Sequence, residues 1–575
     1  MTSGNSLIRT LSKPDVALRI LAVFIAAKLV FLVALALNSA FVMDEYWTVV
    51  HGLFGLDRLY KDIWPAKTVL YAPVFRIPHL VGEGAVEVML VARALMSAVA
   101  LGALGLLYLV ARQIGRSRLD AAFIVALVLS FRSQIEWAFL ARPEPLALLY
   151  AMAALWLATR GRGGLGLCLA AGLVSGMAFL TLQKAAYFNL ALGLALVGDG
   201  VARRAWRDAA ASGAALVLGW GLVVGAYYLF FVALGADLGQ MLGYSLAGPA
   251  LQNALVGYQA YGDGLRSFLV RMVGNDLLLY LLCAAGLVMS GSRLRRMASP
   301  ERRAWIFSVV IAILVFSHRS PWPYNFILAV PFLGLWGAVP FHAMPAARRV
   351  PRLAAFGILV GALSFFYNVR YLGHDNAFQN QTVRRAESLL RPADRYFDGI
   401  GMVVDRQQAG GDLPGQVVSW DQLTISMIRA AAEQGDLQQI ERIFGRAPKV
   451  WILTYRSDAL SEWLAPYLEQ SYVPIYADIL ITGVALLPGE TATFRNWWPG
   501  TYRLYRSDGT PAQTGLEVDG RRVDGPLRLE QGRYDLRLAK GGESLYLLPA
   551  DIAGVPFDMT APRERAALFS RTYTF

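Results

Sequence analysis

The amino-acid sequence points to a polytopic α-helical membrane protein with a C-terminal soluble α/β plus β-sandwich domain. Its composition, its apolar runs and the positions of its basic residues each lead there. Of the 575 residues, 56% are hydrophobic and 17% charged, where a soluble chain carries about 25% charged residues. A mean hydropathy of +0.43 over that length asks for lipid rather than for a large core. Apolar residues crowd into runs before residue 372 and thin out after it, so two solvents share one chain.

The first run, 16–37, follows Lys13 and ends at Asn38-Ser39-Ala40, which faintly resembles a signal-peptide cleavage site. The run is long enough to span a bilayer, which takes about 20 residues, whereas a signal h-region is about 7–15, so it reads as a retained first helix. That puts the N-terminus in the cytoplasm and residues 39–86 outside. Further runs at 87–111, 119–139, 144–159, 164–182, 185–200, 208–234, 274–290, 304–317, 325–341 and 353–371 bring the total to eleven crossings. An odd number sends the tail outside.

The net charge of +13 raises the question of nucleic acid, and the placement of the charges answers it. Arg9 and Lys13, Arg112 to Arg118, Arg160 and Arg162, Arg203 to Arg207, Arg293 to Arg303, and Arg348 to Arg352 occupy alternate segments between apolar runs. This positive-inside pattern reports topology and excludes nucleic acid as the use of the charge. It agrees with the orientation set by the first helix. Cys168 and Cys283 both fall inside apolar runs, so no disulfide framework follows.

On this topology residues 1–373 form the transmembrane domain and the tail divides in two. Residues 374–490 mix helical patterns, such as 423–444, with short apolar strands, such as 449–454, and read as an α/β domain. Residues 491–575 alternate apolar with polar positions at 501–506, 515–520, 526–530 and 534–538 between Gly- and Asp-rich turns. That predicts antiparallel β structure, a sandwich.

Polar clusters recur on the outer side. Asp44 and Glu45 stand just beyond the first helix in Phe41-Val-Met-Asp44-Glu45-Tyr-Trp-Thr48. They read either as an interfacial end-cap with an aromatic anchor, or as carboxylates that remove a proton from an acceptor hydroxyl or hold a metal. Arg132, Glu136, Arg142 and Glu144 surround the next outward turn, where Pro143 and Pro145 stop either helix from running through. Their plain reading is mutual ion pairing. Lys184, between two runs with almost no loop, must snorkel or face a polar cavity. His318-Arg319-Ser-Pro-Trp322-Pro-Tyr324-Asn325 supplies donors suited to a phosphate, or else an aromatic and basic interface belt. No His or Cys set at metal spacing lies outside, although Asp44 and Glu45 offer the oxygen ligands that a divalent ion takes.

The acidic pair Asp44-Glu45, the Ala141-Arg142-Pro-Glu144 turn, the Leu180-Thr-Leu-Gln-Lys184 helix ending and the Pro-Trp-Pro-Tyr324 string resemble the GT-C glycosyltransferases. The resemblance is in particular to the bacterial relatives of protein O-mannosyltransferases and of the lipid A aminoarabinose transferase, and covers residues 16–371. It implies transfer of a sugar from a polyprenyl-phosphate-linked donor to an envelope glycan, lipid or protein acceptor, on the outer face of the cell membrane, a bacterial inner membrane with the tail in the periplasm. It further implies that Asp44, with Glu45 beside it, acts as base or aligns the acceptor. Arg142, Lys184, His318, Arg319 and Tyr324 then attend the lipid phosphate, with Glu144 in the secondary polar cluster. A phosphate leaving group needs only a base for the incoming hydroxyl and positive charge for the departing oxygen, and a single displacement inverts the anomeric centre. Two other classes compete: a transporter or flippase of lipid-linked sugars, against which stand the lack of repeated halves and the large soluble tail, and a non-catalytic envelope assembly protein.

Overall fold

The computed structural model describes residues 13–575 apart from 62, 64, 66, 161–163, 244, 246–272, 319–322, 411–421, 541, 553, 556–567 and 569–575. Arg9, Arg162, Arg319, Trp322 and most of 235–273, the segment between the apolar runs 208–234 and 274–290, therefore lie outside the described residues. The chain forms two compact units. One comprises Met1–Ser39, Ala66–Val74 and Ala92–His374; the other comprises Ala40–Pro65, Phe75–Val91 and Asp375–Phe575.

The chain is a multi-pass membrane protein. Pro14–Asn38, Ala85–Gln113, Gln183–Ala202, Trp206–Ala233 and Ala347–Gly373 are each long and apolar enough to cross a bilayer. Shorter helices cover other predicted runs: Pro143–Thr159, Leu165–Thr181, Leu277–Gly291 and Ser299–Phe316. Two runs depart from the continuous helices predicted for them. Residues 119–139 split into Arg118–Val128 and Arg132–Trp137. Residues 325–341 break into Pro323–Leu328, Val330–Gly334 and Val339–Ala343, each with a proline at or near its start. Proline cannot donate to the preceding turn and its ring clashes there, so each one restarts the helix.

The membrane helices pack where small residues allow. A Cβ at Gly172 would run into the Leu216 carbonyl, and one at Gly219 into that of Leu169, so Leu165–Thr181 and Trp206–Ala233 approach backbone to backbone. Close van der Waals contact of this kind replaces the hydrophobic drive that lipid does not supply. Several arginines that mark topology also tie helix ends together. Fully buried Asp199 accepts from Arg302 Nη1 and Arg303 Nε, both at 3.0 Å, and Arg116 Nη2 reaches Glu301 at 3.1 Å.

The second unit holds twelve described strands: β1 Arg395–Phe397, β2 Pro448–Ile452, β3 Tyr472–Tyr476, β4 Ile479–Thr482, β5 Val484–Leu486, β6 Thr491–Asn496, β7 Gly500–Tyr505, β8 Gly515–Val518, β9 Arg521–Asp524, β10 Leu527–Leu529, β11 Gly532–Leu538 and β12 Leu545–Pro549. The first four form a sheet in the order β1-β2-β4-β3, with β1 and β2 parallel. All five residues of β2 are buried, which is why its sequence reads as a continuous apolar run rather than an alternation. Its Lys449 is tolerated inside because Nζ meets Asp551 at 2.6 Å and Asp394 at 3.1 Å. Phe444 stacks on Trp451 in the core at 5.0 Å between ring centroids. The predicted helical stretch 423–444 is two helices, Gln422–Glu433 and Gln438–Gly445. Gly435, at φ +82°, ends the first, a conformation that costs glycine little.

The remaining strands make the β-rich part: two four-stranded sheets, β10-β7-β12-β5 and β6-β11-β8-β9. Leu504, Leu529 and Leu547 of one share an apolar core with Phe494, Leu516 and Leu536 of the other. In β11 the last residues alternate buried and exposed, as the sequence pattern predicts.

Candidate functional site

In the membrane unit the site begins at a helix start. Pro143 occupies the first turn of Pro143–Thr159, and Arg142 before it has extended backbone, φ −123° and ψ 162°. Its side chain therefore leaves the helix line and turns onto Glu144. Arg142 Nη2 donates to Glu144 Oε1 at 2.9 Å and Nε to Oε2 at 3.1 Å, a two-pronged pair buried on both sides.

Two distant segments complete the cluster. At Leu182 the backbone becomes extended and Leu165–Thr181 ends, leaving Lys184 on the tight turn Gln183–Ala185. Its Nζ donates to Asn325 Oδ1 at 2.9 Å and lies 4.8 Å from the Tyr324 ring centre. The Arg142 guanidinium covers the same ring at 4.1 Å, and Trp137 meets it edge-on at 5.8 Å. Lys184 thus faces a polar cluster. Lys67 is a further cation within electrostatic reach of Glu144. Arg142, Lys184, Tyr324 and Glu144 are together; His318 packs edge-on against Tyr187 at 5.9 Å, and Arg319 lies outside the described residues. Arg132 and Glu136 form a separate pair at 2.5 Å, joined by the Tyr371 hydroxyl. An apolar cleft lined by Ala103, Leu107, Phe139, Leu148 and Pro331 reaches Pro145, next to Glu144.

In the second unit, the two neighbouring carboxylates have different work. Val42 precedes the helix Met43–Val50, and Glu45 Oε2 turns back to accept from Val42 N–H at 2.9 Å. Glu45 is fully buried and caps the helix. Asp44 stays partly buried, and Thr48 Oγ1 bonds its backbone carbonyl at 2.7 Å rather than its carboxylate. Phe41 N–H, at the entry to this helix, donates to Gln379 Oε1 of the tail at 2.7 Å. Among the described residues, no group of three or more His, Cys, Asp or Glu gathers as a metal site.

The tail brings Tyr455 and Arg456 to Met43, the residue before Asp44. Sequence reading missed both, because more than four hundred residues separate them from Met43. It also missed Asn325 as the partner of Lys184.

Comparison with known proteins gives one matching family, described as a domain of unknown function (DUF7055), over residues 484–549. No curated protein sequence matches the chain. Among solved structures, ArnT from Cupriavidus metallidurans bound to undecaprenyl phosphate superposes at a TM-score of 0.55 with 15% identity, over 80% of this chain and 97% of that one. Its apo state gives 0.54 at the same identity and coverage. The Archaeoglobus fulgidus oligosaccharyltransferase in complex with zinc and sulfate gives 0.50 with 10% identity, over 90% and 94% of the two chains. The chain thus shares the fold of these solved structures.

Proposed function

We propose that this protein is a membrane glycosyltransferase that moves a sugar from a polyprenyl-phosphate-linked donor to an envelope glycan, lipid or protein acceptor on the outer face of the membrane. The observation that carries the reading is the Arg142, Lys184, Tyr324 and Asn325 cluster, with its cations set beside the Glu144 carboxylate in an apolar helical unit. Cations packed within an apolar helical unit are costly and mark a place where charge is handled. The ArnT structure contains undecaprenyl phosphate, and the fold likeness adds weight to a lipid phosphate as the partner here.

In the proposed reaction the acceptor hydroxyl attacks the anomeric carbon, and the bond from that carbon to the phosphate oxygen breaks. The hydroxyl proton goes to the Asp44 carboxylate, and the lipid phosphate leaves with the electron pair. Arg142 and Lys184 offset the charge that grows on the departing oxygen; Tyr324 and His318 are further donors, and Arg319 is assigned to the same group from sequence alone. One displacement inverts the anomeric centre. Eleven crossings, with the tail in the periplasm of a bacterial inner membrane, belong to the same proposal.

Asp44→Asn tests it, since the amide keeps the shape and removes the base. With the variant purified and folded, mass spectrometry of lipid-linked sugar and product should register a loss of about 10²- to 10⁴-fold in transfer. Glu45→Gln weakens the cap, so it should lower stability before it lowers transfer. An Asp44→Asn protein working at the parental rate would sink the assignment.

A further inference from the structure

Arg456 belongs to the turn after β2. Thr454 caps that turn: its Oγ1 accepts from Arg456 N–H at 3.3 Å and donates to the Asp398 carbonyl at 2.8 Å, pinning the segment to the end of β1. Asp398 is held in turn by the amides of Ile400, Gly401 and Met402, each at 2.7 Å. The pinned backbone turns Arg456 inward, leaving it 6% exposed. Its Nε and Nη2 donate to Met43 Sδ at 3.2 and 3.1 Å, and the Tyr455 hydroxyl donates to the same sulfur at 2.7 Å.

A thioether is a weak, uncharged acceptor. Buried guanidinium groups ordinarily meet a carboxylate or phosphate, whose two oxygens match the fork, and a buried charge without a counter-charge is costly. Among the described residues no carboxylate is ion-paired with Arg456. Three donors therefore converge on one sulfur where an oxyanion would satisfy them better. Methionine is unbranched and flexible, so its sulfur leaves at small cost. Asp44 adjoins Met43 in sequence and lies within electrostatic reach of Tyr455.

We propose that Arg456 and Tyr455 form an oxyanion-binding site for a phosphate group, which enters by displacing the Met43 sulfur. Two sources share this chemistry: an anionic group on the water-borne acceptor, and the phosphate of the lipid-linked donor. The choice of molecule rests on the transferase reading of Asp44, whereas binding itself needs no turnover.

The test is native mass spectrometry of the full chain in detergent, titrated with glycerol 3-phosphate as the water-borne probe and with undecaprenyl phosphate as the lipid-borne one. Arg456→Gln removes charge-assisted hydrogen bonds and should weaken one probe about ten- to a hundredfold, with Arg456→Lys recovering part of the loss. Loss confined to glycerol 3-phosphate assigns the site to the acceptor; loss confined to undecaprenyl phosphate assigns it to the donor; loss of both supports the site for either. Met43→Ala leaves Arg456 in place and should tighten the same probe several-fold, which keeps the test open if Arg456→Gln does not fold. The proposal is overturned if the parent protein binds neither probe, if Arg456→Gln binds both as the parent does, or if Met43→Ala changes neither. An active Asp44→Asn protein with normal anion binding would strike the transferase mechanism and leave this site standing.

Discussion

Arg142 and Glu144 are either a turn-fixing ion pair or part of the phosphate machinery, and a double-mutant cycle separates the two. Both side chains are buried, 4% and 3% exposed, and they share two hydrogen bonds at 2.9 and 3.1 Å. Arg142→Leu strands the Glu144 carboxylate, and breaking a buried pair by removing one partner costs about 3–5 kcal/mol. Glu144→Leu strands the guanidinium, but its cover by the Tyr324 ring at 4.1 Å offsets about 0.5–2 kcal/mol of that cost. Replacing both by leucine leaves no stranded charge and should return stability to within about 2 kcal/mol of the parent, with a coupling energy of about 3 kcal/mol or more. Reversible unfolding in mixed micelles measures this. Transfer by the refolded double variant then reads the chemistry: if Arg142 meets the donor phosphate, the loss of its charged hydrogen bonds, about 1.5–3 kcal/mol, should lower donor use about ten- to a hundredfold. A double variant that is stable and fully active would reduce the pair to a structural element and refute its part in phosphate handling.

Lys184→Met keeps the length of the side chain and removes the charge over Tyr324; donor KM in a transfer assay should rise about tenfold with folding intact. Burial, and then the hydrogen bond with Asp405, push the Glu387 carboxyl up from 4.5 to about 7. A carboxyl raised in the folded state holds its proton more tightly there, so this contribution to stability is complete below pH 4.5 and is lost as pH rises through about 7. Thermal unfolding across that window should show the decline, and Glu387→Gln should flatten it. A reporter active only outside the cytoplasm should work when fused after Phe575 and stay silent after Trp206, which adjoins Arg203, Arg204 and Arg207; a silent Phe575 fusion would mean an even number of crossings.

Much of this molecule is legible from local sequence because lipid is an unforgiving solvent. A segment inside it must be long, apolar and helical, so hydropathy alone delimits Pro14–Asn38 and Ala85–Gln113 within a few residues. The run 325–341 reads as one crossing, and there the prolines at 323, 331 and 340 break the helix instead, each within one turn. Asp44 stands out by position, at the end of a hydrophobic span. The Arg142–Glu144 pair is also local, because its partners are two residues apart and share one helix start.

Tertiary structure alone decided the rest, and distance along the chain is the reason. Lys184 meets Asn325 across 141 residues, and Arg456 meets Met43 across 413, with no periodicity to link either pair. The different fates of Asp44 and Glu45 depend on backbone direction at Val42, which turns one carboxylate back to an amide and leaves its neighbour only partly buried. Adjacent residues of one chemical type are alike in sequence, and only the fold gives them different surroundings.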